Sequence, residues 1–398
     1  MHNGTTVIDA DSHIREYWDI DRTYTDYMDP EYRDKYARFS AAVRARQRHP
    51  GDPGLSDLLW PSLPRHPMGV YDAFAVPPDG AAPAGRQPPA APAGPNRATS
   101  NAGRKVDPAC HWDPSIRLHD MDVAQIDTSV MFASQSDGYC MLDDAGFESA
   151  LQRAYHRFMR DYCAGSKGRL RWVGNANMRD IEESVRQLKY WTEHDPHFVG
   201  MFISRACPDG AMLDHPRLRP LFEASQELDM PIWVHGGSNR PPLTPWVTAS
   251  NAIYHSLGGQ YALYALIGGG VFDLFPKLRI ALFESFGGWM PFFMELLDDG
   301  LKPGSAQFPL LQRKPSEILA GGQLFCSVEA DEAHIAYAVE TLGDHLWLFA
   351  TDYPHSGTCW PEGVPLIAGQ KLPEPTTARI LGENAKRFQP RLASNASV

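Results

Sequence analysis

Near its amino end the sequence runs Val7-Ile8-Asp9-Ala10-Asp11-Ser12-His13, an apolar entry followed by three polar side chains at every second position. Alternate side chains of an extended strand share a face, so Asp9, Asp11 and His13 are expected to project together. Other apolar runs end in similar groups. PIWVHGG carries His235, LRIALFES reaches Glu284, and LWLFATDYPH ends on Asp352 and His355. An aspartate at a strand end is often only a cap for the next helix. Acid and imidazole recurring at the ends of several apolar runs point instead to one site. Two imidazoles and two carboxylates suit a divalent ion with an open coordination position, as catalytic metal centres require.

The elements that must position these groups are legible as apolar runs separated by helical patterns. Strand-like segments fall at 5–14, 128–133, 169–178, 198–204, 231–237, 278–285, 324–330 and 346–355. Between them lie helix-patterned stretches at 145–165, DIEESVRQLKYWTEH, 215–229 and 259–272. Continuously apolar strands alternating with helices predict a parallel sheet covered on both faces. Eight such units predict a (β/α)8 TIM barrel, with the site at the C-terminal ends of the strands. A doubly wound sheet is the rival, but no GxGxxG turn follows the first strand. The chain is expected to form one domain over 1–398, with an insertion at 17–110 after the first strand. Within it, 76–103 is Pro, Ala and Gly with almost no large apolar residue, and is expected to be a surface loop.

Composition narrows the function classes. With 398 residues, 43% hydrophobic and a net charge of −11, the chain is an ordinary globular sequence without the basic face of a nucleic-acid binder. No apolar run reaches the roughly 18–20 residues of a membrane span. No basic segment followed by an apolar one opens the sequence, so a cytoplasmic protein is expected. The six cysteines contain no CxxC pair and are expected to be reduced.

Together the stretches IDADSH, HWDPSIRLHDMDVAQIDTSVMFAS, PIWVHGG, LIGGGVFDLFPKLRIALFESFGGW and LFATDYPH, in this order, resemble the amidohydrolase superfamily. The resemblance is to its decarboxylase-like branch, which includes aminocarboxymuconate-semialdehyde decarboxylase and the resorcylate decarboxylases. It implies that Asp11 and His13 are the first-strand metal pair, that His235 is the fifth-strand ligand, and that Asp352 stands at the metal and moves a proton. It implies that Arg117, in WDPSIR, grips the substrate carboxylate, as the guanidinium fork allows. Trp289 and His355 are expected to contact substrate, His355 alternatively capping its loop. His255 is expected to act in catalysis or touch substrate.

Two departures stand out. Glu284 occupies the sixth-strand position where many members carry His, and is expected to act as a base or to orient His255 or a water; an arginine-binding structural role is the alternative. Asp11 replaces the usual His or Glu, tilting a single Zn2+ site towards Mn2+, with Fe2+ a further option. No lysine ends FVGMFISRA, so one metal rather than two is implied. Asp9 is expected to support the barrel or the ligands, and His111 and Trp112 to pack. The implied activity is metal-dependent, non-oxidative decarboxylation of a small aromatic or unsaturated carboxylic acid, by a homodimer. A metal-dependent hydrolase of an ester, lactone or amide, and a barrel that has lost metal and catalysis, are the alternatives.

Overall fold

The computed structural model describes residues 2–16, 19–46, 106–134, 139–140, 142, 144–236, 251–302, 307–355 and 358–393. The expected surface loop 76–103, and most of the insertion 17–110, lie outside the described residues.

Eight strands form one parallel sheet in sequence order: β1 (Ile8–Ile14), β2 (Thr128–Ala133), β3 (Leu170–Asn175), β4 (Phe198–Ile203), β5 (Ile232–Val234), β6 (Ile280–Leu282), β7 (Leu324–Glu329) and β8 (Trp347–Ala350). The ring closes just past β8. Ser12 bridges Tyr353 in parallel, the His13 amide donates to the Tyr353 carbonyl at 2.6 Å, and the Asp352 amide donates to the Asp11 carbonyl at 2.9 Å. The barrel expected from alternating strands and helices is therefore present. β5, β6 and β8 are shorter than their apolar runs because the last residues of each run leave the ladder and carry the site.

Most strands put alternate side chains inside, whereas β4, with a register shift against β3, puts in Val199 and Phe202. Ile8, Ala10, Val130, Phe132, Val173, Val199, Trp233, Ala281, Phe283, Phe325 and Leu348 form a single buried cluster. Phe388 plugs it from the closing helix Asn384–Phe388, with its ring 4.7 Å from Trp233 and 5.1 Å from Phe325. A second, larger cluster joins the outer strand faces to the helices. Aspartates start several of these helices: Asp144 accepts from the Gly146 and Phe147 amides, and Asp180 accepts from Glu183. No helix among the described residues is long and apolar enough to cross a membrane. None of the six cysteines forms a disulfide.

β1 breaks the strict alternation expected of it. Asp9 pairs with Ser129 but Ser12 with Met131, so β1 holds one more residue than β2 over this span. Such a bulge flips the faces that follow it. Ile8 and Ala10 face the interior, Asp9 faces away, and beyond the bulge Ile14 packs outside. Asp9 thus does not share a face with Asp11 and His13. Its carboxylate accepts from the Thr351 amide (2.9 Å), the Thr351 hydroxyl (2.7 Å) and the Ser129 hydroxyl (3.3 Å), tying β1 to both neighbours. Burial pushes Asp9 up to about 7, against the pull of these hydrogen bonds.

Candidate metal centre

Asp11 and His13 follow the bulge, His235 follows β5 and Asp352 follows β8, and their polar atoms meet at the C-terminal mouth of the barrel. Asp11 Oδ2 lies 3.0 Å from His235 Nε2, and Asp11 Oδ1 lies 3.2 Å from His13 Nε2. His13 Nε2 is 3.1 Å from Asp352 Oδ1, which in turn is 2.7 Å from His355 Nδ1. Nitrogen and oxygen donors of Asp11, His13 and His235, and again of His13, Asp352 and His355, cluster closely enough to share one ion.

The chemistry of this set fits a divalent cation. Asp11 Oδ1, both ring nitrogens of His13 and Asp352 Oδ1 are buried without a hydrogen-bond partner, although their neighbours lie close by. Buried polar atoms left in this way are rare unless something else satisfies them. The charges agree. Burial opposes the Asp11 carboxylate, yet His235 and His13 hold it well below the usual range. His13 is likewise buried, but Asp11 and Asp352 draw it up to about 10. The cluster thus favours added positive charge, and mixed imidazole and carboxylate donors suit Zn2+ or Mn2+.

Two carboxylates are turned into the mouth by strained backbone. Glu284 (φ 50°) and Asp352 (φ 53°) both occupy the left-handed region, which non-glycine residues adopt at a cost of about 1–3 kcal/mol. Glu284 Oε2 stands 4.0 Å from His235 Nε2 and 3.0 Å from His255 Nδ1. Burial works against its charge, but His255 outweighs this and holds Glu284 at about 2. The loop behind it is fixed by Glu332, whose carboxylate accepts from the Gly287, Gly288 and Glu329 amides at 2.9–3.1 Å.

Arg117 lies where the resemblance did not place it. Asp113 caps its helix, Pro114–Val123, and the guanidinium is fully buried. It donates to the Ser12 hydroxyl at 2.9 Å, to the His13 carbonyl at 2.5 Å and to the Tyr353 carbonyl at 3.4 Å, and lies over the Tyr353 ring at 4.6 Å. These contacts secure the backbone of both ligand-bearing loops from behind. Trp289 donates its indole N–H to the Ser285 carbonyl at 2.7 Å and packs on Phe293, bracing the loop after β6. His355 stacks on His13 with ring centroids 4.1 Å apart, and its Nε2 meets the Ser134 hydroxyl at 2.9 Å. His111 is buried and accepts the Arg15 amide on Nδ1.

Two residues at the mouth were not singled out from the sequence, although strand-end position marks both. Arg205, just past β4, donates to the Phe283 carbonyl (2.6 Å) and Glu284 carbonyl (2.8 Å), and its Nη1 is 2.9 Å from His255 Nδ1. Glu329 ends β7, where burial, with the Asp352 and Glu332 charges adding, pushes its carboxyl well above the ordinary range.

The amidohydrolase family model matches residues 8–390, nearly the whole chain. The chain belongs to the amidohydrolase family. A curated relative of this amidohydrolase, the 2-amino-3-carboxymuconate-6-semialdehyde decarboxylase of Dictyostelium discoideum, is 26% identical over 302 residues, which cover 72% of this chain and 78% of the relative. Among solved structures, the 5-carboxyvanillate decarboxylase of Novosphingobium aromaticivorans, complexed with manganese and 4-hydroxy-3-methoxy-5-nitrobenzoic acid, superposes with a TM-score of 0.67 at 17% identity. The match covers 97% of this chain and 96% of that one. A dihydroxybenzoic acid decarboxylase from a Polaromonas species, with bound manganese and 2-nitroresorcinol, gives 0.62 at 16% identity over 99% and 100% of the two chains. At these identities the superpositions establish the amidohydrolase barrel.

Proposed function

We propose that this amidohydrolase is a metal-dependent, non-oxidative decarboxylase of a small aromatic or unsaturated carboxylic acid. The observation that carries this is the gathering of Asp11, His13, His235 and Asp352 at the barrel mouth, where Asp11 Oδ1, His13 Nε2 and Asp352 Oδ1 lie close together, buried and without hydrogen-bond partners. The names of the curated relative and of the two superposed enzymes, all decarboxylases, support the choice of chemistry.

A divalent ion held by Asp11, His13, His235 and Asp352 supplies Lewis-acid polarisation of a substrate oxygen. The protein's own groups do the rest. Asp352, 2.7 Å from His355, takes a proton from that side and delivers it to the carbon bearing the carboxylate. The bond to the carboxylate then breaks, carbon dioxide leaves, and the electron pair returns to the substrate's unsaturated system. Glu284, ionised, orients His255 at the opposite wall. Arg117 keeps the ligand loops in place rather than reaching substrate. The enzyme works as a homodimer in the cytoplasm.

The test is carbon dioxide release and metal content on one preparation, loaded with Mn2+ or Zn2+ and offered hydroxybenzoates and lactones. Carbon dioxide from an acid supports the proposal. Lactone hydrolysis without carbon dioxide replaces it with a hydrolase, and a protein that takes up no metal refutes both.

A further inference from the structure

Away from the metal residues, Asn175 ends β3 with an amide that nothing in the protein satisfies. Both Oδ1 and Nδ2 are buried and without a hydrogen-bond partner, and the residue is 2% exposed. Leaving a donor and an acceptor unmet costs about 1–3 kcal/mol for each group, which calls for an occupant.

Its position says where that occupant sits. Val173 lies in the interior cluster, so two residues on, at the C-terminal end of the same strand, Asn175 faces the mouth. There it lines a small cleft with Phe202, Ser204, Gln152 and Glu148. Phe202 pairs with Asn175 across β3 and β4, and its ring stands 5.9 Å from that of His235. One aromatic wall is thus shared by the cleft and the metal centre. No lysine, arginine or histidine lines the cleft. Without a cation it is unsuited to a carboxylate, whereas an amide serves a neutral group that donates, accepts, or does both.

We propose that Asn175 is the specificity residue of a subsite for a neutral hydrogen-bonding substituent, such as a hydroxyl, on the part of the substrate remote from the metal. This rests on the decarboxylase reading for the substrate class, but not for the existence of the subsite. A carboxylate reaching Asp11, His13 and His235 places the body of the molecule along Phe202 and its far substituent against the amide. A site built to hydrogen-bond a substituent rejects the analogue that lacks it more strongly than an apolar pocket rejects an added group.

The experiment measures calorimetric binding of three probe sets to the metal-loaded full chain: meta- and para-hydroxybenzoate, the methoxybenzoates, and the methylbenzoates. Carbon dioxide release is followed separately. The wild type is expected to bind the hydroxy and methoxy probes roughly tenfold more tightly than the methyl ones, and Asn175→Leu to erase that preference while metal content stays unchanged. Asn175→Asp has nearly the same size, which guards against a folding defect. In alkaline buffer it is expected to keep the hydroxy probes, whose O–H it accepts, and to lose the methoxy ones, which need a donor. Equal weakening of all three sets in Asn175→Leu overturns the proposal, as does a wild type that binds none of them or does not discriminate. Discrimination that depends on Asn175 without carbon dioxide release supports the subsite alone, and carbon dioxide release without such discrimination supports the decarboxylase reading and overturns the subsite.

Discussion

Glu284 Oε2 and His255 Nδ1 stand 3.0 Å apart, joining the end of β6 to the helix Asn251–Gly268. At the strand end where the resemblance implies a histidine, this chain has a carboxylate, and an imidazole is brought to it from a helix. Arg205 Nη1 is 2.9 Å from the same nitrogen. His255 Nδ1 can donate to Glu284 or accept from Arg205 but not do both, so one proton decides its partner.

Glu284 and His255 should therefore behave as a unit. Glu284→Gln and His255→Asn are each expected to lower kcat roughly tenfold to hundredfold, and the double variant to lower it little further. Metal content should stay at the wild-type level in all three. Additive losses in the double-variant cycle would show that the two side chains act separately.

The ligand set makes a firmer demand on metal content. Asp11→Ala and His235→Ala each remove a donor from the group of nitrogen and oxygen atoms close enough to share one ion. Both are expected to lose most of the bound Mn2+ or Zn2+, measured by elemental analysis after dialysis, while keeping the far-ultraviolet circular dichroism of the barrel. Asp9→Asn, which alters a carboxylate clamped to Thr351, should keep the metal. Retention of stoichiometric metal by Asp11→Ala would remove Asp11 from the site.

The eight apolar runs and their strand-end polar residues were legible because parallel strands buried on both faces leave few other reasons for acid and imidazole at their ends. Asp11, His13, His235 and Asp352 are brought together from runs hundreds of residues apart for that reason. Asp9 was misplaced because the alternation rule assumes an unbroken strand, and a bulge carries no reliable composition signal when neither of its residues is glycine. Arg117 was assigned by family pattern. Its actual partners are two backbone carbonyls and a serine on distant loops, which a linear motif does not display. Arg205, Glu329 and Asn175 also stand at strand ends, but what marks them is burial and contacts between distant segments, which a linear sequence does not display.

Arg117 consequently has a prediction opposite to that of a carboxylate clamp. Arg117→Met removes hydrogen bonds to Ser12, His13 and Tyr353 from a fully buried place, and is expected to destabilise the fold by about 3 kcal/mol. It should also weaken metal retention and impair acidic and neutral ligands alike. Unchanged denaturant stability, with a loss confined to acidic ligands, would restore the clamp.

Buried imidazoles add to the acid sensitivity of the fold. Burial, with Arg117 next, pushes His111 down to about 2, and burial pushes His156 down to about 4, both from 6.5. A histidine whose folded value lies below its unfolded one takes up its proton more readily when unfolded. Its contribution is complete above 6.5 and declines as pH falls below it, approaching about 1.4 kcal/mol per pH unit for each group. His156 stops contributing to that slope near 4, whereas His111 continues below it. His111→Asn offers the Arg15 amide an acceptor that does not titrate in this range. It should shallow the fall in unfolding free energy below pH 6.5 and leave the neutral-pH stability within about 1 kcal/mol of wild type. A slope identical to that of the wild type would mean that His111 is not held neutral by the fold.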